Sequence, residues 1–171
     1  MDNHELNKCL KKKAIELGLC KQWQSKWEQD WPQEKLIEKY YEGIDFCLRN
    51  NFPSDDFIQA HIPQNFLRAN GFYINDIRSG LNHTYSIIKK ESIVTLRYNA
   101  SNIGTVYVTD YSELNLTAKN RSFVIVHALG NAIITAHATD NAKITVIQHS
   151  PVTSICAIGN TTIKREFEWL E

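Results

Sequence analysis

Histidine and cysteine are the side chains here best suited to metal or nucleophilic chemistry, and their spacing decides what they can do. Cys9, Cys20, Cys47 and Cys156 are scattered with no C-x-x-C pair, which gives neither a zinc site nor a redox motif. Free, mostly buried thiols are expected, with Cys156 pointing inward. His127 and His137 stand ten residues apart and invite a metal reading, while His127 and His149 are candidates for closer approach. No carboxylate or thiol falls in line with either pair. Asp110, Glu113 and Asp140 do not make the paired carboxylates of a glycosidase, and no G-x-S-x-G elbow occurs. The expectation is therefore no catalytic residue, no metal and no cofactor.

Other conspicuous groups read as structure. Trp23, Trp27 and Trp31 recur every four residues, the spacing of core anchors on one helix face. Lys11, Lys12 and Lys13 make a solvated helix surface. Residues 54–71 superficially suggest a helix-turn-helix, but Asp55 and Asp56 would repel phosphates. Lys and Arg together number 19 against 19 Asp and Glu, so no bulk field recruits a nucleic acid. Nowhere do about 18 apolar residues run together, which argues against a membrane span. The Lys-rich start lacks the apolar stretch of a signal peptide, so a cytoplasmic protein is expected. With 171 residues, of which 43% are hydrophobic, the chain can build a true core.

The elements that position these residues fall into two halves, 1–75 and 76–171. The first reads as a helical domain. Asp2 and Glu5 form a capping-box pair ahead of Leu6, Leu10, Ala14 and Leu17, and Gly18 is a natural stop. Pro32 opens a helix striped by Leu36, Tyr40, Ile44 and Cys47, and Ser54 caps a shorter one. A join over Phe72 to Leu81 leads into the second half.

From residue 91 the chain repeats every ten residues with apolar side chains at alternate places. Val94, Leu114, Val124, Ile134 and Ile144 share one place of the frame; Leu96, Val106, Leu116, Val126, Val146 and Cys156 share another. Asp110, Asn120, Gly130, Asp140, Ser150 and Asn160 hold the row ends. Period two is a strand signal, and repetition of whole rows signals a repeat architecture. An antiparallel meander would need φ > 0 at Tyr111, Arg121 and Pro151, which suits none of them. A parallel β-solenoid needs one permissive corner residue per row, so an α+β chain is expected, with a helical unit followed by a short solenoid over about Leu81 to Gly159. Two rows make one coil.

This layout resembles short-coil β-solenoid (parallel β-helix) domains. A helical front half before ten-residue rows is also similar to uncharacterised proteins of gut bacterial and phage genomes, a resemblance that implies no agreed activity.

With two rows per coil, outward side chains twenty apart share a column. One face collects Ile103, Tyr107, Phe123, Ile125, His127, Leu129 and Ile147, too apolar for a solvated sheet. Either the helical half covers this patch or a partner does, another copy of the chain or a larger assembly. The tail breaks the frame, and Phe167, Trp169 and Leu170 are expected to plug the last coil or dock on a neighbour. The functional expectation is a non-enzymatic assembly module, with a phage or mobile-element accessory role in view. Its rival is an enzyme or small-ligand protein with a site near Tyr107, His127 and His149.

Overall fold

The structure, a computed structural model, describes residues 1–169. It divides into two compact units, split between Gln64 and Asn65.

The first unit is helical: α1 (Asn3–Glu16), α2 (Lys21–Lys26), α3 (Gln33–Glu42), α4 (Ile44–Arg49) and α5 (Asp55–His61), with α6 (Gln64–Ala69) beginning at the boundary. Asp2 caps α1 through a complete capping box, and Leu6, Leu10 and Ala14 make its buried face. Asn7, buried among them, donates from Nδ2 to Trp31 O at 2.9 Å, tying α1 to the loop before α3. Trp31 is itself buried and stacks on Trp27 with ring centroids 5.1 Å apart. Trp31 thus acts as an anchor from a loop rather than from the end of a helical stripe. Ser54 caps α5 by accepting from Phe57 N–H.

The second unit is a β-solenoid. Its strands are β1 (Phe72–Ile74), β2 (Ile77–Leu81), β3 (Tyr85–Lys89), β4 (Ile93–Tyr98), β5 (Ile103–Val108), β6 (Glu113–Ala118), β7 (Phe123–Ala128), β8 (Ile133–Ala138), β9 (Lys143–Gln148), β10 (Ser154–Gly159) and β11 (Thr161–Arg165). Odd strands form a six-stranded sheet in the order β1-β3-β5-β7-β9-β11, and even strands a five-stranded sheet, β10-β8-β6-β4-β2. Every pair is parallel, which excludes the meander. Through the regular part the register steps by two rows, as in Val94↔Leu114 and Val124↔Ile144. Val94, Leu96, Val106, Leu114, Leu116, Val124, Val126, Ile134, Ile144 and Val146 fill the thin interior.

Corners follow from backbone sterics. Lys90, Ala100, Asp110, Asn120, Gly130 and Asp140 all take φ between 56° and 62°. Asp and Asn tolerate this left-handed region better than most residues, and two carboxylates reinforce it. Asp110 Oδ2 accepts from Lys90 N–H at 2.9 Å, and Asp140 Oδ2 from Asn120 N–H at 3.1 Å, each one coil away. Ser92, Ser112 and Ser122, buried just after three of these corners, return their hydroxyls to the carbonyls of Lys89, Lys90 and Lys119.

Two stretches depart from the ten-residue frame. Residues 72–81 are not a join but the first two strands of the solenoid. Their steps are shorter, Phe72↔Ile87 and Ile77↔Ile93, and Asn75 and Asn82 take the corner conformation. The second departure follows Pro151, whose ring forbids positive φ. The corner moves one residue on, with Thr153 N–H donating to Ser150 O where earlier rows donate from Ser112 to Thr109. That extra residue reverses the facing of β10: Ile155 pairs with Ile134 and Cys156 with Thr135. Cys156 therefore points outward and is exposed, against the inward place expected for it, and Cys9 and Cys20 are exposed too, so of the four thiols expected to be mostly buried Cys47 alone is.

Candidate functional site

The outward face of the six-stranded sheet builds the expected columns. Ile103 pairs with Phe123 and Phe123 with Lys143; Thr105, Ile125 and Thr145 form a second column; Tyr107, His127 and Ile147 a third. One place further along, Leu129 N–H donates to Val108 O and His149 N–H to Ala128 O, so Leu129 and His149 continue the face. Ile103 is 66% exposed, and Phe123, Ile125, His127 and Ile147 are half-buried. Tyr107 and Leu129, at 8% and 7%, are already covered. The open part of the face is its Ile103–Phe123–Ile125 side.

At the other side the rings collect. Tyr107 stacks on His127 at 4.8 Å between centroids, and the His127 and His149 rings lie parallel 5.2 Å apart. Trp169 stands against both imidazoles, at 5.1 and 4.5 Å, and parallel to Tyr107 at 6.1 Å. The tail reaches this place because β11 pairs with β9 and Glu166 N–H extends that ladder to Gln148 O. Trp169 thus lies over the side of the solenoid rather than across its last coil. Phe167 is exposed, and Leu170, the third residue expected in the plug, lies outside the described residues.

Hydrogen bonds set the protons of the imidazole pair. His149 Nδ1 lies 2.7 Å from Glu166 O, a carbonyl that only accepts, so Nδ1 carries the proton. Nε2 of neutral His149 is then an acceptor, and His127 Nδ1–H donates to it at 2.9 Å. Burial, and secondarily the neighbouring His149, pushes His127 down to about 4. Burial also lowers His149, opposed in part by its hydrogen bond to Glu166 and that residue's charge. At neutral pH both rings are uncharged, the pair is a weak base, and an indole covers it. Such an arrangement is suited to fastening the tail by stacking and hydrogen bonding.

His137 lies on β8 in the other sheet, so it cannot share an ion with His127. Among the described residues no three His, Cys, Asp or Glu side chains are grouped as metal ligands, and no helix is long and apolar enough to cross a membrane. Reasoning from rows alone placed His127 beside His149 but missed Trp169 and Glu166 as their partners.

Compared with known proteins, the chain matches no family model, no curated protein and no solved structure.

Proposed function

We propose that this protein is a non-enzymatic assembly module that associates with further copies of itself through the open side of the six-stranded sheet. The observation that carries the reading is the in-register apolar ladder of Ile103 over Phe123, beside Ile125, on the outward face of a parallel sheet. A solvated face of that kind carries threonines and charges, and contiguous apolar side chains on it are the mark of a contact. Thr105, Thr145 and Lys143 stand on the same columns and border the apolar patch. A phage or mobile-element accessory role is carried by the resemblance of the layout alone.

Light scattering against protein concentration tests this. Association is expected to grow with concentration and to be lost in Phe123→Asp/Ile125→Asp, which puts two carboxylates per copy into the seam. An unaltered oligomer in that variant would reject the assignment. The rival reading, a small-ligand site at Tyr107, His127 and His149, is favoured by the imidazole pair but disfavoured by Trp169 standing on it. A small molecule retained in native mass spectrometry and lost in His127→Ala would support the rival.

A further inference from the structure

Besides the sheet face, the C-terminal end of the solenoid leaves backbone groups without strand partners. β10 closes one sheet and β11 the other, and among the described residues no strand pairs beyond either. In a parallel ladder, alternate residues bond to one neighbouring strand and the rest to the other. Ser154 N–H donates to Ala132 O at 3.0 Å, so Ser154, Cys156 and Ile158 address the β8 side. Ile155 and Ala157 consequently turn their N–H and C=O groups toward the open end. The interior is open there too: Ile163 stacks on Val146 in the core register yet remains 42% exposed.

Edge strands are ordinarily protected by charge, proline or a covering element. β10, Ser-Ile-Cys-Ala-Ile-Gly, has no charge and no proline, and its residues are exposed save for half-buried Ile155. The opposite end is built differently. All three residues of β1, one of its two edge strands, are buried. Head-to-tail stacking would therefore find only half of its docking edge free, whereas two C-terminal ends offer each other both strands.

We propose that this end pairs with the same end of a second copy about a twofold axis, each β10 running antiparallel to β11 of the other. That choice sets an uncharged strand against the strand bearing Lys164 and Arg165, and keeps the cations of the two copies apart. A pairing of β11 with β11 would oppose them. Strands of this length span roughly 20 Å and packed sheets lie about 10 Å apart, so with outer side chains the contact buries about 400 Å² per copy, the range of weak, reversible interfaces. It is a second association surface, separate from the sheet face proposed above.

Sedimentation velocity over a wide concentration range tests it with two variants. Ala157→Pro deletes an N–H that faces away from β8 and leaves that ladder intact. Ile163→Lys places like charges in the apolar seam of the pair. Each variant, checked by circular dichroism and thermal melting, is expected to lose one association step that the wild type shows. If both fold and associate like the wild type, the end is not an interface. Should both surfaces act, Phe123→Asp/Ile125→Asp still forms the end-to-end dimer, Ala157→Pro still associates through the sheet face, and combining the substitutions gives a monomer. If only the sheet-face reading fails, Phe123→Asp/Ile125→Asp leaves association unchanged while Ala157→Pro abolishes it; the reverse pattern overturns the edge pairing alone.

Discussion

Gly104 occupies an inward place where neighbouring rows carry Val or Leu, because the ring of Tyr98 fills its share of the interior. A Cβ built on Gly104 would stand 2.3 Å from Tyr98 Cε1. Tyr98 in turn satisfies its buried hydroxyl by donating to His83 O, and burial raises that hydroxyl to about 12. Gly104→Ala is expected to cost about 1–3 kcal/mol by overpacking, measured by urea unfolding. Tyr98→Leu in the same chain should recover part of that loss; no cost for the single variant would mean the interior is not filled as described. The imidazole pair sets a pH dependence. A histidine protonates near 6.5 when unfolded and His127 near 4 when folded, so the unfolded chain binds the extra proton between these values. Stability is therefore fully present above about 6.5, falls as pH drops toward about 4, and loses nothing more to this group below that. Thermal melts across this range should show the fall, and His127→Phe should reduce it. A variant with the wild-type slope would place the titrating group elsewhere.

At the scale of the element, the decisive event is the corner at Pro151. The displaced turn predicts that Cys156 reacts in the native protein with a water-soluble maleimide, whereas buried Cys47 is protected until unfolding. Protection of Cys156 would mean that β10 keeps the earlier register. This corner also marks how far the sequence can be read. From β4 to β9 the rows were legible because each corner takes one left-handed residue and the inward places, Tyr98, Gly104 and Gln148 apart, hold aliphatic side chains. Past Pro151 the frame still looks intact, since Ser154, Cys156 and Ile158 fit the inward places as well as Ile155 and Ala157 do. Only the backbone of proline decides between them. Residues 72–81 escaped notice for a different reason: their strands are too short and their spacing too tight to show a ten-residue period. The columns of the outward face were legible from the coil length, down to the approach of His127 and His149. Trp169 was not, because its place depends on the ladder from β9 through β11 and not on any repeat.

For the molecule as a whole, we propose two distinct ways to meet another copy, through one sheet face and through the C-terminal end of the same solenoid. The face offers side chains, Ile103, Phe123 and Ile125, while the end offers backbone hydrogen bonds. Neither needs a charge field, in keeping with a formal net charge of zero. The most direct measurement is the sedimentation coefficient of the wild-type chain followed from dilute to concentrated solution. A value that climbs reversibly with concentration is the expected result. A value that stays at that of a single 19.7 kDa chain throughout would contradict the account.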